Sequence, residues 1–243
     1  NNPAPKWWLY LYFITIAWAI GYLIAFPGLG SYEGMLGWSQ QGQYEAEMKA
    51  AAENYDPIYE KFAAMDFEKL SQNAEAQALG KSLYASYCTT CHGSDARGAP
   101  GYPNLTDNDW LWGNAESELY TTIYNGRNAV MPVLAPALGG DEGIANMARY
   151  VKSLSSGEAD AGAMSAQPMF VALCSACHGV DGTGNKIFGA PNLTDDTWLY
   201  GGSLETIQET LVNGRNGVMP SHGDLLGENR TKILAAYVYS LSQ

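Results

Sequence analysis

The chain has 243 residues, room for two small domains and a few additions. Thirteen Lys and Arg against 25 Asp and Glu give a formal net charge of −12. That excludes the basic footprint nucleic-acid binding requires and favours encounter with partners carrying a positive patch.

Residues Trp7 to Phe26 contain no charged side chain. At about 1.5 Å of rise per residue, such a run spans a bilayer core of about 30 Å. Trp7, Trp8, Tyr10 and Tyr12 crowd one end, as interfacial aromatics do, and Pro27-Gly28-Leu29-Gly30 closes the other. The run is too long for a signal peptide and is apolar on every face, unlike a core helix. Residues 7–27 are therefore expected to cross a membrane and contact lipid, with residues 1–6 as a cytoplasmic stub.

Residues 28–70 form a connector. Tyr44 to Asn54 reads as a short helix, Pro57 as an interruption and Ile58 to Leu70 as a second helix. Tyr55, Tyr59, Phe62 and Phe67 leave two readings open, a solvated spacer or a docking surface for a partner subunit.

Cys88-Thr89-Thr90-Cys91-His92 follows, and it recurs as Cys174-Ser175-Ala176-Cys177-His178. Cys-x-x-Cys-His is the attachment sequence of c-type haem. Two thiols spaced this way reach two vinyl groups of one porphyrin, and the adjacent His lies beneath the iron. A bare Cys-x-x-Cys would also suit a redox dithiol or a zinc knuckle. The appended His and the second copy select haem, so two covalently bound haem c groups are expected. The two motifs use all four Cys of the chain, and no structural disulfide is implied.

A tandem duplication surrounds the motifs. Pro103-Asn104-Leu105-Thr106-Asp107 matches Pro191-Asn192-Leu193-Thr194-Asp195, and Trp110 matches Trp198. Asn125-Gly126-Arg127-Asn128 matches Asn213-Gly214-Arg215-Asn216, and Val130-Met131-Pro132 matches Val218-Met219-Pro220. Each copy closes in an apolar helix, near Ile144 to Leu154 and near Lys232 to Leu241. The duplication divides the chain into a first domain at 71–156, a linker at 157–165 and a second domain at 166–243. Each domain is expected to hold three or four short helices. Leu79, Leu83 and Tyr87 mark one face of the helix entering the first motif, and Met169, Phe170 and Leu173 do so before the second. Each entry helix should cross and pack against a closing helix.

His92 and His178 are the proximal iron ligands. Of eight Met, Met131 and Met219 occupy matched positions, each before Pro on a loop, and are the expected sixth ligands. Met147 and Met169 sit in helical patterns and read as core. A thioether is soft and favours Fe(II), so His/Met ligation raises the potential and closes the iron to oxygen and peroxide. The simplest arrangement has each Met serving its own repeat, and an exchange between repeats is the alternative. Arg127 and Arg215 are candidates either for pairing with a haem propionate or for bonding to loop carbonyls. Trp110 and Trp198 are expected to wall the haem pockets. His222, the remaining histidine, reads as a surface or propionate-contacting residue, with replacement of Met219 as the other option.

These features together resemble the CcoP/FixP family, the dihaem cytochrome c subunit (subunit III) of bacterial cbb3-type cytochrome c oxidase. The resemblance rests on the Asn2-Pro3-Ala4-Pro5-Lys6-Trp7-Trp8 opening and the Pro27-Gly28-Leu29-Gly30 closure of the membrane helix. It rests equally on the two haem motifs and the Asn-Gly-Arg-Asn and Val-Met-Pro repeats, and it covers essentially the whole chain. It implies a mainly α fold, an N-terminal transmembrane helix followed by two tandem class I cytochrome c-like domains. Similarity to small c-type cytochromes implies that the Pro103 and Pro191 carbonyls accept the proximal His N–H groups. Members often carry a further membrane helix upstream.

The implied role is electron relay. Soluble or membrane-bound cytochromes c would donate in the periplasm. Electrons would pass to a monohaem cytochrome c subunit and on to a haem–copper catalytic subunit that reduces oxygen and pumps protons. The implied location is the bacterial inner membrane with the haem domains in the periplasm. No oxygen-reducing site is expected in this chain, and no catalytic residue is assigned. The alternative from the same motifs is a dihaem carrier or the cytochrome subunit of a periplasmic dehydrogenase. A dihaem peroxidase would need an open iron, which two matched Met disfavour.

Overall fold

A computed structural model describes residues 3–28 and 30–243. Asn1, Asn2 and Leu29 lie outside the described residues, and with them parts of the opening and closure motifs of the apolar run and of the expected stub. The chain forms two units, Asn1–Ile58 and Tyr59–Gln243.

In the first unit, helix α1 spans Lys6–Ala25. It is long and apolar enough to cross a membrane, and none of its described side chains is buried. The helix stops because Phe26 precedes Pro27, and a residue before proline is pushed out of the helical region into extended backbone. The following loop folds back over the helix end. Met35 N–H donates to the Ile24 carbonyl at 2.9 Å and Leu36 N–H to the Ala25 carbonyl at 3.0 Å. Tyr32 Oη also donates to Ile24, at 2.9 Å. These bonds satisfy carbonyls that a helix C-terminus leaves open. Gly34 has φ +77, and a Cβ there would lie 2.6 Å from the Ala25 oxygen, so the close approach requires glycine.

Helix α2 runs Gln40–Ala63 with Pro57 inside it. The expected break at Pro57 is absent: proline removes one backbone donor, but the helix continues for six residues to Ala63. The break falls at Asp66 instead. Its carboxylate accepts from the Glu68 and Lys69 N–H groups and starts α3, Phe67–Gln72. The connector aromatics divide. Phe62 is buried, while Tyr59 and Phe67 pack against the core of the second unit. Tyr55 remains exposed.

The second unit combines helices, long loops and, among the described residues, one strand pair. Helices α4 (Ala74–Tyr87) and α5 (Thr89–His92) carry the first motif, and α6 (Glu116–Asn125) leads into strand β1 (Arg127–Met131). A 3₁₀ turn at Ala135–Ala137 precedes α7 (Asp141–Ser156). The stretch taken as linker contains a short helix, α8 (Ala161–Ser165), started by Asp160, whose side chain accepts from Ala163 N–H. Helices α9 (Gln167–Leu173) and α10 (Ser175–His178) carry the second motif. Helix α11 (Leu204–Asn213), strand β2 (Arg215–Met219) and α12 (Gly223–Ser240) complete the chain, with α12 kinked at Gly227.

The repeats exchange their closing elements. Strands β1 and β2 pair antiparallel, with Arg127 opposite Met219 and Met131 opposite Arg215. Past the pair, each chain continues into the other repeat's half. Leu134 N–H donates to the Leu211 carbonyl at 3.0 Å, and His222 N–H donates to the Ile123 carbonyl at 3.0 Å. Helix α7 then packs on α8, α9 and α11, and α12 packs on α3, α4 and α6. Entry and closing helices do pack together, but each closing helix comes from the other repeat.

Two principal cores result. One combines Leu83, Tyr84, Leu119 and Ile123 with Leu226, Leu234 and Val238. The other combines Ile144, Met147 and Val151 with Phe170, Ile207 and Leu211. The buried face of α4 is Ala76, Gly80, Leu83 and Tyr84, so Tyr87 faces out. Gly80 sets that face: a Cβ there would lie 2.5 Å from Tyr237 Cβ on α12. On α9 the buried residue is Phe170. Met169 and Leu173 are exposed, a departure from the expected core Met169 that follows from the shortness of α9. Met147 is fully buried.

Candidate functional site

Each Cys-x-x-Cys-His motif is a single helical turn at the end of an entry helix. Cys88 ends α4 and starts α5, so the turn brings Cys88, Cys91 and His92 to one place. Cys174, Cys177 and His178 repeat the arrangement. In each pair one sulfur faces the protein and the other faces out: Cys174 is buried and Cys88 half-buried, whereas Cys91 and Cys177 are exposed. As free thiols, Cys88 and Cys174 are pushed up to about 11, first by burial and then by the neighbouring Cys of each pair.

The loop after each His fixes the imidazole. His92 Nδ1 lies 3.0 Å from the Pro103 carbonyl, and His178 Nδ1 lies 3.0 Å from the Pro191 carbonyl. A carbonyl can only accept, so Nδ1 carries the proton and Nε2 keeps its lone pair for a ligand. Burial holds the His178 imidazole below its ordinary value, against the opposing effect of the Pro191 bond, and this favours the neutral ligand form.

The matched Pro-Asn-Leu-Thr segments share a local structure. The Asn104 side chain accepts from Thr106 N–H at 2.9 Å and from Thr106 Oγ1 at 2.8 Å, and Asn192 does the same with Thr194 at 3.0 and 2.7 Å. Each Pro-Asn-Leu-Thr segment is thereby tied into a turn that presents the Pro carbonyl and packs Leu105 or Leu193 on a core.

The two Met residues sit across the repeat boundary. Met219 packs on the core that Cys88, Leu105 and Trp110 also line. Met131 packs on the core that includes Cys174, Leu193 and Trp198. His92 therefore shares its half with Met219, and His178 with Met131. Sequence alignment pairs each Met with its own motif and contains no signal for the exchange.

The chemistry of these pockets fits haem c. At each half one Cys and one Met pack on the apolar core, and the second Cys and the His, its Nδ1 engaged by the Pro carbonyl, follow on the same helical turn. In addition, Trp110 Nε1 and Trp198 Nε1 are buried without a hydrogen-bond partner among the described residues. A buried indole N–H normally has an acceptor. The same orphan in both copies indicates an acceptor on the group that occupies the pocket, and a haem propionate supplies one.

Arg127 and Arg215 are bound to protein. Arg127 Nε donates to Thr122 Oγ1 at 2.9 Å and Nη2 to the Glu118 carbonyl at 3.3 Å, with the guanidinium 4.6 Å from the Trp112 ring centroid. Arg215 Nε donates to Thr210 Oγ1 at 2.9 Å and Nη1 to Glu209 Oε1 at 3.1 Å, with its guanidinium 4.6 Å from the Tyr200 ring. His222 Nδ1 lies 3.0 Å from the Pro220 carbonyl, and its residue caps the start of α12.

The cytochrome c oxidase, cbb3-type, subunit III family model matches residues 75–151 and again 161–238. The model for the N-terminal domain of cytochrome oxidase-cbb3, FixP, matches residues 1–33. The chain is 43% identical over 243 residues to the cbb3-type cytochrome c oxidase subunit CcoP of Rubrivivax gelatinosus, covering all of this chain and 80% of that protein. It is 37% identical over 268 residues to the FixP subunit of Azorhizobium caulinodans, covering 99% of this chain and 88% of that protein. Identity to CcoP of Cereibacter sphaeroides is also 37%, covering 99% and 90%.

Proposed function

Because the chain belongs to the subunit III family of cbb3-type cytochrome c oxidases, we propose that it holds two covalent haem c groups and relays single electrons through them to the catalytic subunit. The chain is a membrane-anchored cytochrome c of that oxidase, and its family carries haem c. The count of two and the residues that hold them are our reading.

Cys88 and Cys91 bind the first haem and Cys174 and Cys177 the second. His92 and Met219 would ligate the first iron, and His178 and Met131 the second. The observation that carries this assignment is the packing of each Met on the core beside the other repeat's Cys.

The haem iron supplies reversible one-electron chemistry. The chain's residues set its conditions. The Pro103 and Pro191 carbonyls hold each imidazole in the tautomer that ligates through Nε2. The soft Met thioether favours the reduced state and raises the potential. The apolar cores exclude water, and the unpartnered Trp110 and Trp198 N–H groups would donate to haem propionates. With a His and a Met both held for each iron, neither iron would leave a position for oxygen. Oxygen reduction belongs to a separate haem–copper subunit, reached through a monohaem cytochrome c subunit. Cytochromes c on the periplasmic side of the inner membrane are the donors.

Gentle solubilisation tests the reading. The chain should co-migrate with cyanide-sensitive oxygen consumption, and its mass should exceed the polypeptide by two haems that resist acid-acetone extraction. Migration without oxidase activity would overturn the assembly, and any other haem count would overturn the assignment.

A further inference from the structure

The Asn-Gly-Arg-Asn and Val-Met-Pro segments recur together in both copies, and the strand pair joins them across copies. Arg127 stands opposite Met219, and Arg215 opposite Met131. Directly opposed residues of an antiparallel pair project to the same face. Burial alternates along both strands, and the half-buried face carries Arg127, Ala129 and Met131 against Met219, Gly217 and Arg215. Each Met thus has an Arg from the other strand beside it.

Each Arg is anchored to the half of the molecule its opposing Met occupies. Arg127 is bonded to Thr122 and Glu118 of α6, and α6 supplies Leu119 and Ile123 to the core that receives Met219. Arg215 is bonded to Thr210 and Glu209 of α11, and α11 supplies Ile207 and Leu211 to the core that receives Met131. Thr122 and Thr210 are fixed in turn, by donation to the Glu118 and Thr206 carbonyls at 2.7 and 2.9 Å. The Trp112 and Tyr200 rings each lie 4.6 Å from one of the two guanidinium groups.

We infer that Arg127 and Arg215 are positioning residues for the exchanged methionines, Arg127 holding Met219 at the first haem and Arg215 holding Met131 at the second. The Arg side chain clamps its strand to the pocket helix, and the ladder carries the opposing Met into place. This depends on the planar fork and the stacked face of arginine, which lysine lacks. The inference rests on the axial assignment proposed above.

The test uses the full chain with its haems in place and reads the ferric methionine-to-iron charge-transfer band together with the two reduction potentials. Arg127→Lys keeps the charge and loses the fork, so it should remove one haem's share of the band and lower that haem's potential. Thr122→Val leaves Arg127 itself in place and removes the hydroxyl that accepts from its Nε and donates to the Glu118 carbonyl, and it should shift the same haem in the same direction. Combined with Met219→Ala, Arg127→Lys should cause no further loss. Combined with Met131→Ala, it should deplete the band at both haems. A wild-type protein without the band would overturn the axial assignment and this inference together. An intact wild-type band that neither Arg127→Lys nor Thr122→Val alters would overturn this inference alone. So would an Arg127→Lys loss that merges with that of Met131→Ala.

Discussion

Tyr84 donates its hydroxyl to the Gly93 carbonyl at 2.7 Å, one residue past His92. The matched residue in the second copy is Phe170, which has no such donor. The two halves are thus built differently at the turn that carries the motif His. Tyr84→Phe should cost about 1 kcal/mol, the usual net worth of such a bond. Burial, with smaller contributions from Cys88, Tyr237 and Asp95, pushes the Tyr84 phenol up to about 12. The folded state therefore resists ionisation that the unfolded chain undergoes near its ordinary value of about 10. Wild-type stability should fall as pH rises between those values, and the Phe variant should lack that slope. Thermal unfolding from neutral to strongly alkaline pH measures both effects.

Gly126 precedes Arg127 with φ +73 and ψ 179, a backbone region essentially restricted to glycine, and a Cβ there would lie 2.4 Å from the Met219 carbonyl oxygen. Gly214 has φ +68, and its Cβ would meet the Met131 carbonyl at 2.5 Å. Gly126→Ala should destabilise the fold by about 1–3 kcal/mol and displace Met219 rather than Met131. Denaturant unfolding checks the first consequence. The loss of methionine ligation at the first haem, with the second unchanged, checks the other.

Trp110 and Trp198 contribute buried indole N–H groups whose proposed acceptors are haem propionates. Removing a donor from a carboxylate leaves its negative charge less compensated and so favours the ferric state. Trp110→Phe should lower the first haem's potential and reduce holoprotein stability by about 1.5–3 kcal/mol, as for other hydrogen bonds to charged groups. Redox titration with parallel thermal melts is the measurement. An unchanged potential would remove the propionate from this role.

Asp195 is held above the usual carboxylate range, mainly by burial, with repulsion from Asp109 and Asp196 adding to it and the Thr197 N–H bond opposing. Asp109 arrives from the other repeat, where its carboxylate accepts from Thr197 Oγ1 at 2.6 Å. A folded value above the unfolded one means that ionisation opposes folding. Stability contributed by this group is present below its unfolded value of about 3.9 and is lost as pH rises through the folded value. Asp195→Asn keeps an acceptor for Thr197 N–H and removes the charge. It should be neutral or stabilising at pH 7 and lose that advantage in acid, as measured by melting temperature against pH.

Much of this protein is legible before it folds. The apolar run, the two haem motifs, the matched Pro and Met and the tandem repeat are all local patterns. Each reports chemistry that neighbouring residues perform together: an uncharged helix long enough for a bilayer, or two thiols and an imidazole on one turn. The proline carbonyl at each motif His was legible only through the likeness to small c-type cytochromes, because Pro103 lies 11 residues past His92 whereas Pro191 lies 13 past His178. Even Pro57 misled only about a helix boundary.

The exchange between repeats lay beyond the sequence. Both copies carry the same pattern of apolar positions, and periodicity cannot choose which closing helix meets which entry helix. The choice is made by the short path from β1 to the Leu211 carbonyl and from β2 to the Ile123 carbonyl, and by the pairing of Arg127 with Met219. Sequence alone determined which residues are the candidates to hold a haem. Tertiary structure decided which repeat's methionine reaches which pocket, because only packing distinguishes two copies of the same pattern.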